Sequence, residues 1–441
     1  MVTKGPTPGR PPRKRLRWVL LSLAGLLLVG SIWLGYSTDP KITGLRNIVQ
    51  YRVVKVLGGP QVHTAQPPGA IAGTIRDAGH NPVAGALILV ASPLGDTYTA
   101  TSSADGSYQI AGVPPGRYVP VAGKRGYNDA LPRTCLNGLC RKHSVAARPE
   151  HETGKTDLTL TAAGQPPILV DDSLIVSSTV VVETAAPLPG KARRTHFSFE
   201  RNRLRLNDCY LYEPAEGDGP FPTLLLVLPG PVLGWEIVPV PFAAKGYSVL
   251  AFYPLRGTDI DGDAADLLTA LEYLKQGRLP SHADPGQLGL IAASYTSLHA
   301  YRLLGLTGQV DVALVLGGMA DGFAFRYDVE TGVAQARPPF DQVLIALGFP
   351  NSSPELYFKY SVIFHPDGLP PLCLLHGKED DLVPFNQSVM LDQELTRQGM
   401  PHEFYGYEGL MHYFSTSADS ATTQQMFIDS LACLDRLLEN K

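Results

Sequence analysis

The sequence predicts a mostly parallel α/β sheet with helices on both faces, preceded by a small all-β sandwich and one N-terminal transmembrane helix. Three observations lead there. From residue 195 onward, short apolar runs alternate with helix-length segments, the signature of a parallel sheet with crossover helices. Within that region Ser294, Asp380 and His412 occur in this order, each after a strand-like run. An open α/β sheet gathers a nucleophile, an orienting acid and a base at the carboxyl ends of its strands in this way. Third, residues 18–36 form a 19-residue run without a charge.

Taken in order, residues 1–17 are a basic tip, with Lys4, Arg10, Arg13, Lys14, Arg15 and Arg17 and no acid. Setting those six aside leaves 31 basic against 41 acidic residues, so nothing beyond the tip points to nucleic acid. As a helix, Trp18–Tyr36 would reach about 28 Å, close to the hydrocarbon thickness of a bilayer. Trp18 stands at one end, and Trp33 and Tyr36 at the other, where aromatic belts form. No small-residue cleavage site follows the run. An uncleaved signal anchor is expected, with the N-terminus cytoplasmic and the bulk of the chain extracytoplasmic. A cleaved signal peptide is the alternative.

Residues 37–67 read as a stalk or loosely docked linker ending in Gln66-Pro-Pro-Gly69. Residues 68–164 carry short alternating runs between Gly, Pro, Asn and Asp turns, the pattern of an antiparallel sandwich. Cys135-Leu-Asn-Gly-Leu-Cys140 reads as a hairpin about Asn-Gly, which would set Cys135 and Cys140 opposite each other within disulfide range. His143 alone cannot complete a metal site with them. Cys209, Cys373 and Cys433 lie in apolar surroundings and read as core residues. Residues 165–194 are a connector with a Pro-rich stretch at 185–190. Residues 195–441 form the α/β domain.

Two family resemblances follow from particular residues. Gly73-Thr-Ile-Arg-Asp77, Asn81-Pro-Val-Ala-Gly-Ala86, Ala104-Asp-Gly-Ser-Tyr-Gln-Ile110 and Val113-Pro-Pro-Gly-Arg-Tyr118 resemble a carboxypeptidase regulatory-like domain. That resemblance implies a transthyretin-like sandwich serving as a spacer or as a binding module for a cell-envelope partner. From about Thr195 to the C-terminus the chain resembles the α/β-hydrolase superfamily, in its dienelactone hydrolase and prolyl oligopeptidase-like branches. His376-Gly-Lys-Glu-Asp380-Asp-Leu-Val-Pro384 looks like the acid loop, and Tyr407-Glu-Gly-Leu-Met-His412-Tyr-Phe414 like the histidine loop. The resemblance makes Asp380, rather than Glu379 or Asp381, the triad acid. His376 reads as structural, and His299 and His402 have no motif support.

The chemistry expected is an acyl-enzyme on Ser294, with His412 as base, Asp380 as its orienter, and no cofactor. The substrate would be a small-molecule or peptide acyl compound, with ester preferred to peptide because the sequence shows no acidic subsite for a peptide amino terminus. The elbow departs from Gly-x-Ser-x-Gly, with Ala292 and Thr296 at the glycine positions. Backbone oxyanion donors are expected at Tyr295 and Val232, since Pro231 has no N–H to give. These departures leave a second reading open, a non-catalytic hydrolase-like binding or scaffold protein. A serine peptidase or an acyltransferase would use the same triad. Asp259-Ile-Asp261-Gly-Asp263 resembles the start of a calcium loop without its later ligands, and reads instead as helix capping. Residues 320–366, rich in aromatics, form either a cap over the site or an ordinary excursion.

Overall fold

The structure, a computed structural model, describes residues 30–60, 66–137, 139–164, 168, 170–335, 337–338, 340–412 and 421–439. Most of the apolar run at 18–36 lies outside the described residues. Residues 30–36 are helical, and no helix among the described residues is long and apolar enough to cross a membrane.

The α/β domain is built on strands β1 (Gly190–Arg201), β2 (Leu204–Pro214), β3 (Phe221–Val227), β4 (Ser248–Phe252), β5 (Ala283–Ala293), β6 (Val312–Leu316), β7 (Leu372–Gly377) and β8 (His402–Tyr407). Their order across the sheet is β1-β2-β4-β3-β5-β6-β7-β8. β1, β2 and β4 pair antiparallel, and every neighbour from β4 to β8 is parallel. The inner strands are apolar on both faces because both are covered. Leu225, Leu290 and Leu374 face one layer with Leu271, Leu303 and Leu391, while Leu226, Ile291 and Leu375 face another with Phe242, Met426 and Leu434. The sheet begins earlier than the expected boundary at 195, since Ile175–Val176 and Val180–Thr184 of the connector pair with β1.

The helices are α1 (Pro40–Val56), α2 (Pro239–Ala244), α3 (Ile260–Lys275), α4 (Ser297–Leu306), α5 (Gly322–Thr331), α6 (Phe340–Leu347), α7 (Pro354–Tyr360), α8 (Asn386–Gln398) and α9 (Ala421–Glu439). The acids at 259–263 are occupied locally. Asp259 accepts the N–H of Gly262 as N-cap of α3, and Asp263 accepts those of Leu255 and Arg256. Asp261 binds Arg302 and Lys359.

Two expectations are corrected. The segment read as a stalk or loosely docked linker contains the helix α1, which is firmly docked. Asp39 caps it by accepting from Lys41 and Ile42. Asn47 donates to the Ala346 carbonyl at 2.7 Å, Tyr51 packs on Phe349, and the buried Arg326 guanidinium lies 4.9 Å from the Tyr51 ring. Tertiary packing of this kind carries no local turn or capping signal. Cys373 and Cys433 are not separate core thiols. They form a disulfide between β7 and α9, with Cα atoms 6.2 Å apart, and Cys209 remains free and buried. The bridge closes a 60-residue separation, for which chain entropy alone gives about 4 kcal/mol. Changing both cysteines to alanine is expected to lower unfolding stability by roughly 2–4 kcal/mol, read from urea unfolding with midpoint and m fitted separately.

In the sandwich, Gly69–Asp77 pairs with Ser107–Val113, Glu152–Thr153 and Leu158–Ala162, while Leu87–Ala91 lies between Thr97–Thr101 and Val121–Gly123. Cys135 and Cys140 face each other across a hairpin and are disulfide-bonded; Gly138 of its turn lies outside the described residues. The period of two along Leu87–Ala91 divides its side chains. Ile88 and Val90 enter the sandwich core, whereas Leu89 and Ala91 join Val121 against Phe323, Tyr357 and Phe358 of α5 and α7. The aromatics of 320–366 thus form a seat for the sandwich, and Gly123 fits there because a Cβ would stand 2.5 Å from the Phe358 ring.

Candidate active site

β5 ends at Ala293, and the chain turns sharply into α4. Ser294 has φ of 58°, a left-handed conformation that a non-glycine residue adopts at a cost of about 1–3 kcal/mol. Such a turn lifts the Ser294 hydroxyl above the strand ends. Thr296, at the second glycine position, is used rather than merely tolerated. Its hydroxyl faces the Val227 carbonyl at 2.8 Å and the Ala293 carbonyl at 2.7 Å, with its one proton to donate between them, and accepts from the Ala293 N–H at 3.2 Å. A buried side chain therefore ties the elbow to the end of β3, where the preceding loop begins. Ala292, at the first glycine position, is packed in the sheet core.

The loops after β7 and β8 bring the other two groups. Ser294 Oγ is 2.7 Å from His412 Nε2, and His412 Nδ1 is 2.8 Å from Asp380 Oδ2. The carboxylate on Nδ1 fixes the tautomer, which leaves Nε2 to accept the serine proton. The other oxygen of Asp380 accepts the N–H groups of Leu382 at 2.9 Å and Val383 at 2.8 Å. His376 approaches Asp380 Oδ2 at 3.1 Å through Nε2, which also faces the Val383 carbonyl at 2.9 Å, while Ser388 donates to its Nδ1 at 2.7 Å. Burial pushes the Asp380 carboxyl up, but hydrogen bonds from His376 and His412 outweigh it and hold the group at about 2. His376 is thus more than a strand-end filler, because it meets the same Asp380 oxygen, Oδ2, that holds His412. Asp381 faces Arg337 at 3.6 Å instead. His299 lies against Asp263 at 3.3 Å and His402 against Asp392 at 3.1 Å, so neither joins the site.

The expectation for Val232 is corrected. Residues 232–235 form a 3-10 turn that tucks Val232 inward, fully buried, and its N–H donates to Asp208 Oδ2 at 3.0 Å. That N–H does not serve the cleft. Two residues earlier, Gly230 is buried and its N–H has no acceptor among the described residues. A side chain there would meet Trp235, whose Nε1 lies 2.5 Å from the ideal Cβ position. Tyr295 follows Ser294, with its ring buried edge-on to His299.

The hydroxyl of Ser294 opens into a cavity of about 430 Å³. Its floor is Ile291, Leu314 and Leu375, and one wall is Trp235, Val238 and Phe242. The opposite wall is Thr423, Met426 and Phe427 of α9, and Pro187 and Leu188 of the connector form a lip. Pro338 comes from the 320–366 excursion. Asp380, His376 and His412 are the acidic or basic residues among the described residues of the lining.

Comparison with known proteins agrees with this architecture. The carboxypeptidase regulatory-like domain family model matches residues 70–135, and the prolyl oligopeptidase family model matches residues 255–432. The chain thus combines a carboxypeptidase regulatory-like domain with a prolyl oligopeptidase-family α/β-hydrolase domain. It is 23% identical over 230 residues to the uncharacterized peptidase YuxL of Bacillus subtilis (strain 168), covering 47% of this chain and 33% of YuxL. Among solved structures, Pyrococcus horikoshii acylaminoacyl peptidase is similar at 16% identity and a TM-score of 0.48, over 81% of this chain and 62% of that one. A bacterial heroin esterase is similar at 18% identity and a TM-score of 0.43, over 60% of this chain and 85% of that one. The chain therefore spans about a third of the curated relative's length and under two thirds of the archaeal peptidase's.

Proposed function

We propose that this chain, whose C-terminal part is a prolyl oligopeptidase-family hydrolase domain, is a serine esterase acting through an acyl-enzyme on Ser294. The observation that carries the proposal is the unbroken relay of Ser294, His412 and Asp380, at 2.7 and 2.8 Å, beside a substrate-sized cavity. As Ser294 Oγ attacks the acyl carbon, His412 Nε2 takes its proton and Asp380 stabilises the imidazolium. The N–H groups of Tyr295 and Gly230 receive the developing oxyanion. His412 then returns the proton to the departing alkoxide, and water repeats the sequence to release the acid. Among the described residues the lining offers no carboxylate ring for a peptide amine, which supports the ester reading. The uncharged run at 18–36 behind six basic residues supports a membrane anchor with the catalytic domain outside the cytoplasm.

Fluorophosphonate labelling of the full-length protein tests the proposal. The wild type is expected to label stoichiometrically and Ser294→Ala not at all. A folded wild type that stays unlabelled would sink the enzymatic reading and favour a binding or scaffold role.

A further inference from the structure

We infer that the cavity beside Ser294 is an acyl-chain pocket and that the substrate is an ester of a linear, medium-chain aliphatic acid. The inference rests on the proposed acyl-enzyme and adds the identity of the acyl group.

The pocket runs from the serine across the strand ends on the α2 and α9 face of the sheet. Its floor cannot engage a peptide backbone, because the strands carrying Ile291, Leu314 and Leu375 spend their amide groups on one another. The hydroxyl of Ser430 is turned into its own helix, donating to the Met426 carbonyl at 2.7 Å. Phe242 of α2 and Phe427 of α9, both in the lining, meet edge-to-face, 4.9 Å between centroids. Among the described residues, the aliphatic floor gives a peptidyl acyl group no amide partners, and burying amides without partners is strongly unfavourable. A hydrocarbon chain buries only surface that gains from leaving water. Polar groups gather instead at the mouth, where Ser294, His412 and the oxyanion donors need them. The lip is tied to α9 by Gln424, which donates to the Pro187 carbonyl at 3.4 Å, so the connector helps define the entrance.

The test has a kinetic arm and a binding arm. Each methylene buried adds roughly three- to fourfold to kcat/KM. Hydrolysis of p-nitrophenyl acetate, butyrate, octanoate and laurate by the full chain should therefore rise about a hundredfold or more from acetate to octanoate. Met426→Trp and Thr423→Trp, each checked for folding by thermal unfolding, should lower the octanoate-to-acetate ratio at least tenfold. In the binding arm, dansyl-labelled undecanoic acid should bind the Ser294→Ala variant saturably, be displaced by decanoate, and bind more weakly to Ser294→Ala carrying Met426→Trp. A flat chain-length profile with acetate still hydrolysed, or no saturable binding of the dansyl acid, overturns the acyl-chain pocket and leaves the hydrolase reading intact. Saturable binding without hydrolysis or labelling sustains the pocket and overturns the hydrolase.

Discussion

Replacing His412 by alanine is expected to lower kcat on an activated ester about a millionfold. Ser294 is an alcohol with negligible alkoxide near neutrality, and the imidazole at 2.7 Å is the base positioned to take its proton. The neighbouring His376 cannot substitute. Both its ring nitrogens are engaged, with Ser388 on one side and Asp380 and Val383 on the other. Because serine and histidine act as one unit, adding Ser294→Ala to His412→Ala should cost little more. Steady-state kcat of the two single variants and the double variant checks this. Losses that multiply in the double variant would mean that the two residues act independently.

Asp380→Asn should lower kcat about ten-thousandfold while preserving the shape of the site, because an amide nitrogen facing His412 Nδ1 favours the wrong tautomer. The same substitution should change how stability depends on pH. The carboxyl is depressed from 3.8 to about 2 in the folded chain. A depressed carboxylate contributes stability that is present above the unfolded value and is lost as pH falls through the folded one. That contribution is about 2 kcal/mol, disappearing between roughly pH 4 and pH 2. Urea unfolding across that window, compared between wild type and Asp380→Asn, isolates it. A variant whose acid-side slope matches the wild type would show that the carboxylate titrates normally. Measuring kcat separately distinguishes the tautomer effect from lost stability.

The proximity of Ser294, His412 and Asp380 was legible because each sits in a local context with its own physics. A strand followed by an acid loop, and a strand followed by a histidine loop, need only neighbouring residues to be recognised. The parallel strands were legible for the same reason, as apolar runs bounded by turn residues. Boundaries were less so. α4 runs through Gly305 to Leu306, although a glycine commonly ends a helix, because helix ends depend on packing as much as on the stop residue. Thr296 looked like an obstacle in the sequence, since its partner, the Val227 carbonyl, lies 69 residues away. The Cys373–Cys433 bridge and the docking of α1 were hidden likewise. Both depend on surfaces that exist only once the sheet has formed. The Val232 expectation failed for a narrower reason: its N–H is taken by the Asp208 carboxylate, a partner 24 residues away.

The strand Leu87–Ala91 puts alternate side chains into two different cores, and this bears on how the chain can be divided. A sandwich that merely held the enzyme at a distance could be severed at the connector without harm. Here severance would strip Leu89, Ala91 and Val121 from Phe323, Tyr357 and Phe358 and bare an oily face on the catalytic half. The two halves therefore share a buried apolar seam, and separating them is expected to destabilise the α/β half.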